Sequence, residues 1–406
     1  MGSPFHPAIP PAPGLRRIGT RDRTAVTING EIRITREYHW AKGRGVYPAD
    51  ATLNIDTYGL SAGAREALTM LGMTIEFRGA MATAKRLAGI NLCAETIRQV
   101  TLREAERMAA AAREGTLKPS FTPEQTATGA ASQPGPTRLY LGADGVLVPT
   151  VLQREKDLRR QQHATRRAQR QRAGIANLKP LPTPRPGSDQ RYKEMKLGYF
   201  YNQDGTHRHA FATHGDHKAF GLLLKEHAGH IGFDAVRERI SLTDGAEWIR
   251  WQVYANTPTL TGKLLDFYHL SQHIHATAVC CMGDTPAAKQ WVSGRLHEFK
   301  HRGAAEPLAA IEALGKQVRS RSKRESVRRL KAYITERLDM LGYPAAIARG
   351  WHIGSGPTEA MCKNLTLRLK QSGMKWDAPN AARIMNIIAL YENCQAPAYW
   401  ERCVAA

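Results

Sequence analysis

The spacing of apolar and polar positions changes period several times along the chain, and each change marks an element. Glu31-Ile-Arg-Ile-Thr-Arg alternates and predicts a strand, followed by a Gly/Pro-punctuated loop from Ala41 to Pro48. From Ser61 to about Arg113 the spacing is helical. Within it Leu87, Ile90, Leu92 and Ile97 fit the small core of a helix-turn-helix, with Gly89 ending the first helix and Ala94 opening the second. Thr96, Arg98 and Gln99 would then face a DNA groove; the plainer alternative is an ordinary helical hairpin. Gly115 to Pro136 is rich in Thr, Pro, Gly, Ser and Ala without apolar periodicity and reads as a linker.

Beyond it, Thr137 to Pro149 is an apolar strand that carries Asp144-Gly145 into a turn and continues past it. Arg239 to Trp248 repeats the device with Asp244-Gly245. Between the two lie strands over Glu194–Tyr201 and His207–Thr213, a hairpin turn at Asn202–Gly205, and a helix from Lys218 to His227. Three strands, a helix and another strand is the order of a ribonuclease H-like core. The predicted class is therefore α/β, a mixed sheet with a helical insertion behind a small, mostly helical N-terminal domain. The expected division is a flexible N-terminus 1–30, a DNA-binding region 31–114, a linker 115–136, a first core part 137–285 with a basic insertion 152–190, a helical insertion 286–350, and a last core part 351–406.

Composition narrows the partners. The 406 residues carry 58 Lys and Arg against 36 Asp and Glu, a formal charge of +22. Such an excess repels itself unless a polyanion neutralises it, so nucleic acid, here double-stranded DNA, is the expected partner. Arg154 to Arg172 concentrates the charge, Arg159, Arg160, Arg166, Arg167 and Arg170 among it, with almost no apolar residue. A solvated charged helix is the bland alternative to phosphate contact. No long apolar run suggests a membrane span, and no leader-like core opens the chain, so a cytoplasmic, nucleoid-associated protein is expected. The six cysteines have no metal-knuckle spacing and read as free thiols.

The chemistry lies in the acids. Two Asp-Gly strand ends and Glu359, near the start of a helix capped by Ser355 or Gly356 with Pro357 in its first turn, are the layout of a two-metal phosphoryl-transfer site. Two Mg²⁺ or Mn²⁺ ions would be held by carboxylates and substrate phosphate, with Asp144 bridging both. The separations themselves, 100 residues from Asp144 to Asp244, constrain little.

Four stretches carry a family resemblance: Leu141-Gly-Ala-Asp-Gly, Leu242-Thr-Asp-Gly-Ala-Glu-Trp-Ile, Leu264-Leu-Asp-Phe-Tyr-His-Leu-Ser-Gln-His, and Ile353-Gly-Ser-Gly-Pro-Thr-Glu-Ala-Met-Cys-Lys. With Arg368-Leu-Lys-Gln-Ser-Gly-Met-Lys-Trp376, the most specific, they resemble the DDE transposases of bacterial insertion sequences, the ISKra-type branch. The resemblance covers roughly residues 30–400. It implies a ribonuclease H-like domain, divalent metal, cleavage at element ends, strand transfer into target DNA, and a homo-oligomer in the synaptic complex. It makes Asp144, Asp244 and Glu359 the catalytic acids. It also makes Asp266, in an Asp-x-x-His pattern with His269, a supporting ligand or an alternative second acid. His273, four residues on, is read as a core histidine. Lys363, Arg368, Lys370 and Lys375 would meet the substrate backbone, while Trp376 is expected to be buried. Relatives carry Cys pairs before the Tyr-Pro segment; Tyr38 to Pro48 here has none, so no zinc ribbon is expected. Two alternatives stay open: a DNA-binding regulator with an inactive catalytic domain, and a ribonuclease H-like nuclease without strand transfer.

Overall fold

The computed structural model describes residues 14–130, 132–178, 180–181 and 183–405. In chain order the strands are β1 (Arg16–Thr27), β2 (Gly30–Ala41), β3 (Arg44–Val46), β4 (Ala127–Ala130), β5 (Gln133–Pro149), β6 (Tyr192–Tyr201), β7 (Arg208–Thr213), β8 (Glu238–Thr243) and β9 (Gly262–Leu265). The helices are α1 (Pro48–Thr52), α2 (Ala62–Thr74), α3 (Phe77–Ala88), α4 (Ala94–Arg113), α5 (Gln153–Arg172), α6 (His217–His230), α7 (Glu247–Asn256) and α8 (Phe267–Met282). They continue with α9 (Pro286–His301), α10 (Ala305–Gln317), α11 (Arg321–Thr335), α12 (Tyr343–Ala348), α13 (Gly356–Leu367), α14 (Ala378–Glu392) and α15 (Ala396–Ala405). None of the described helices is long and apolar enough to cross a membrane.

These elements form two compact units. One takes the chain up to Lys118, then Pro149–Asp189 and everything from Leu367; the other takes Pro119–Val148 and Gln190–Thr366. The division differs from the expected one in three places. Residues 115–136 are not a simple linker, because they hold a 3-10 turn at Pro123–Thr126, all of β4 and the start of β5. The N-terminal stretch contains β1 from Arg16, and residues 1–13 lie outside the described ones. The basic insertion and the C-terminal helices belong with the N-terminal helices, because α14 needs a partner for its apolar stripe. Ile387 and Leu390 pack with Met108 and Ala105 of α4 and with Trp400 of α15.

In that first unit, β1 and β2 form a long antiparallel hairpin turned at Ile28-Asn29, with Gly30 opening β2, and β3 adds to its other edge. Asp50 of α1 takes both Arg23 (2.9 Å) and Arg36 (2.5 Å), and the Arg36 guanidinium lies over the Tyr47 ring. Two helices meet where the sequence placed the break: α3 ends on Gly89 in the left-handed conformation and α4 starts at Ala94. Ile90 and Ile97 are buried with Leu68, Ala80, Ala84 and Val100. Leu87 is not in that core; it is 80% exposed, since it falls on the outer face of the last turn of α3.

Arg368 also departs from expectation. It is 1% exposed, its Nε donates to the Gly72 carbonyl, and its guanidinium lies about equally close to the Phe77 and Trp376 rings, which meet edge-on beside it. Burial pushes its pKa down to about 10, and it is unable to reach a DNA backbone from there. Trp376 is buried as expected, its indole N–H on the Leu369 carbonyl. Arg368→Ala should therefore cost about 2 kcal/mol of stability, from lost cation–π contact and an unpaired carbonyl, with no change in the salt dependence of DNA binding. Urea unfolding checks the first effect; binding across a salt series checks the second.

The second unit is built on one sheet with strand order β7-β6-β5-β8-β9, and β4 pairs with β5. Strands β6 and β7 are antiparallel, whereas β5, β8 and β9 run parallel. One face buries Leu139, Leu141, Ala143, Phe200 and Phe211 against Phe220 and Leu224 of α6 and Ile249 and Val253 of α7. On the opposite face of β5, Tyr140 stacks between Tyr201 and His352, and Gly142 lies against Thr358 of α13, where a Cβ would meet the hydroxyl at 1.9 Å. Helices α9 to α12 form the region expected as a helical insertion.

A histidine cluster gives this unit a pH-dependent stability. His209 of β7 is buried, its Nε2 2.8 Å from Nδ1 of His227 on α6, and His230 is close to both. Burial holds His209 well below its ordinary range and His227 down at about 4, with the neighbouring imidazoles adding to the effect. The unfolded chain takes up a proton at His227 below pH about 6.5 and the folded one only near 4. Stability is therefore fully present above pH 6.5 and falls by up to about 3 kcal/mol as the pH drops toward 4. The urea midpoint followed from pH 7.5 to 4 should show this slope, and His227→Gln should flatten it.

Candidate active site

The register of three parallel strands gathers the acids. Strand β8 pairs with β5 so that Arg138 faces Glu238 and Leu141 faces Ser241. Strand β9 pairs with β8 so that Ile240 faces Gly262 and Thr243 faces Leu265. Continued past the last pairs, the first register sets Asp144 level with Asp244, and the second sets Asp244 level with Asp266. The bond from the Asp266 N–H to the Thr243 carbonyl, 2.7 Å, carries the second register across. Neighbouring strands lie about 4.8 Å apart, so the backbones of the three aspartates come level at one end of the sheet.

Each acid has its own surroundings. Asp144 sits in an unbroken strand, so Asp144-Gly145 is not the turn its sequence suggests. Its Oδ1 accepts from the Gly145 N–H at 2.6 Å, and its Oδ2 lies 3.4 Å from the Cys362 thiol of α13. Burial raises its pKa, and the charge of Asp244 adds to the rise. Asp244 does end its strand in a turn, with Gly245 at φ +74° and the Asp244 Oδ1 accepting from Ala246 N–H. Two residues around the end of α11 grip this turn. Tyr333 donates to the Asp244 carbonyl at 3.3 Å and Arg337 to the Gly245 carbonyl at 2.9 Å, with the Arg337 guanidinium over the Tyr333 ring.

Asp266 is fully buried at the N-cap of α8. Its Oδ1 takes N–H bonds from Tyr268 and Ser355, and its Oδ2 takes the N–H of His269 and lies 2.9 Å from the His269 Nδ1. Burial alone would raise its pKa; these bonds outweigh burial and hold it low. The same Asp266 bond raises the pKa of His269 against the effect of burial. Glu359, in the first turn of α13, is exposed, and Ser355 reaches its Oε1 at 3.5 Å. One helical turn on, Cys362 ties α13 to Asp144. His273 stacks on Tyr333 at 4.0 Å but is exposed, so it is not the core histidine expected; it lies on an outer face of α8, and the desolvation it does feel lowers its pKa.

Asp266, His269 and Glu359 each bring a ligand atom within 4.8 Å of the other two, a group that could hold a metal ion. None of the six cysteines is in a disulfide. The donor set fits a hard cation through its carboxylates. The four acceptor positions of Asp266, however, already receive four N–H groups in this arrangement, which leaves Asp144, Asp244 and Glu359 the more open donors.

The proposed DNA contacts divide. Helix α5 has no buried residue, and Arg159, Arg166 and Arg170 are exposed along it while Arg160 and Arg167 also have contacts with other residues. Lys363 and Lys370 are exposed; Lys375 is paired with Glu155. Arg98 is held by two bonds to Glu95, and Gln99 bonds Glu95 and Tyr58, so neither points freely outward. Sequence reasoning missed Tyr333 and Arg337, which carry no motif and are found only through the Asp244 turn. Compared with models of known protein families and with curated proteins, the chain has no match.

Proposed function

We propose that this protein is a DNA transposase with a ribonuclease H-like core, cleaving DNA strands and joining the ends to a target with Asp144, Asp244 and Glu359 as its metal-holding acids. What supports the proposal is that Asp144 and Asp244 are level by register on neighbouring parallel strands, while Glu359 lies on a helix whose Cys362 reaches Asp144 and shares a possible metal-holding group with Asp266 and His269. The strand order β7-β6-β5-β8-β9, with a helix between the third and fourth strands in sequence, is compatible with that core.

Divalent magnesium or manganese, two ions when both sites are filled, would polarise the phosphodiester and lower the pKa of the attacking hydroxyl. The residues do the rest. Asp144 would hold metal through its carboxylate; burial and the charge of Asp244 raise its pKa, so protons compete with metal there at a higher pH than at an ordinary aspartate. Asp266 orients: it caps α8, holds His269, and fixes Ser355 beside Glu359. In the first step a water oxygen attacks phosphorus and the 3′-oxygen leaves with a proton. In the second, that 3′-hydroxyl attacks a target phosphodiester and displaces another 3′-oxygen. The exposed arginines of α5 would hold phosphate, with affinity falling steeply as salt rises. A second copy of the chain would hold the partner DNA end.

The test is a cleavage and joining assay on duplex DNA with Mg²⁺ or Mn²⁺ and a target plasmid. Joined products support a transposase. Free ends alone would make the protein a nuclease, and binding without metal-dependent cleavage would make it a regulator.

A further inference from the structure

We propose that Tyr268 is a stacking platform for an unpaired nucleobase beside the phosphate being cut; this rests on the function proposed above. Tyr268 lies between Asp266 and His269 in sequence, in the first turn of α8, and its N–H donates to the Asp266 Oδ1. Its chain neighbours turn inward: Phe267 packs edge-on against Tyr343, and Leu270 is fully buried. Its own ring is 66% exposed.

One side of the ring is nonetheless braced. Its Cδ2–Cε2 side rests against Gly354, where a Cβ would meet those atoms at 3.1 and 2.8 Å and the Asp266 Oδ1 at 3.8 Å. Any side chain at 354 would push the ring away. Gly354 is itself held on both sides, by Phe267 N–H on the Ile353 carbonyl at 2.9 Å and by Ser355 N–H on Asp266 at 3.0 Å. The bonds that place the acid group therefore also place an exposed aromatic surface next to it.

A phenol ring exposed beside these carboxylates offers its face to any base, whatever the base's edge. Such stacking is tolerant of sequence and contributes about 1–3 kcal/mol per base. It also requires the base to leave the duplex stack, which is cheapest where the duplex is already open. The ligand class is therefore a nucleotide that is unpaired in the bound state.

The test uses the full chain in Ca²⁺ with single-stranded oligonucleotides carrying 2-aminopurine, whose fluorescence is quenched by stacking. Wild type and Tyr268→Phe should quench the probe equally, whereas Tyr268→Leu should lose the quench and bind about tenfold more weakly. Equal quenching and affinity in Tyr268→Leu would overturn the proposal. Asp144→Asn in the same assay should keep the quench while losing cleavage with Mg²⁺. Unimpaired cleavage in that variant would instead count against the proposed function, so the two failures are separable.

Discussion

Asp144→Asn is expected to reduce metal-dependent strand cleavage by about a thousandfold or more while leaving DNA binding and stability close to wild type. The size follows from the several kcal/mol of charge stabilisation that a metal site supplies, since each 1.36 kcal/mol is a factor of about ten in rate. Stability should be nearly unchanged. Asparagine keeps an oxygen for the Gly145 N–H, and loss of the carboxylate removes both its burial cost and its repulsion with Asp244. The raised pKa of Asp144 adds a pH signature: activity should fall as acid protonates this group, at a higher pH than for an ordinary aspartate. Rates of nicking under single-turnover conditions, paired with binding in Ca²⁺, measure both halves.

The second large effect separates Asp244 from Asp266. Asp244→Asn should behave like Asp144→Asn, with activity lost and fold retained, because its Oδ1 bond to the Ala246 N–H survives in the amide. Asp266→Ala should act in the opposite sense and destabilise first. It strips a fully buried acceptor from the N–H groups of Tyr268, His269 and Ser355 and from the His269 ring. Breaking such a buried charged network costs about 3–5 kcal/mol. Activity should then fall with the population of folded protein and through the misplaced Ser355 and Glu359. Urea unfolding of both variants tests the contrast; a stable Asp266→Ala protein would mean that the cap does not hold α8.

How far the sequence carries depends on which residues are asked about. The strands that hold Asp144 and Asp244 and the helix that holds Glu359 are legible, because apolar runs and a helix-start pattern with Pro357 are local signals. The separation of 100 residues between the first two acids says nothing until β8 is known to pair in parallel with β5; then it is the register that sets them side by side. The role of Asp266 lay hidden for a similar reason, since four N–H donors from two distant segments exist only in the fold. Arg368 shows the reverse failure. Its neighbours in sequence, Lys370 and Lys375, suggest a basic surface, and only the aromatic rings of Phe77 and Trp376 reveal that its charge is buried. Strand β1 was missed although Asn29-Gly30 is a hairpin signal, because its arginines and threonines form no clear apolar alternation.

If Asp144, Asp244 and Glu359 share divalent metal as proposed, anomalous diffraction from crystals soaked in Mn²⁺ should locate it among them. The expected result is manganese within about 2.5 Å of carboxylate oxygens of Asp144 and Glu359, absent in Asp144→Asn. Manganese bound elsewhere, or none at all with the carboxylates free of crystal contacts, would contradict the proposal.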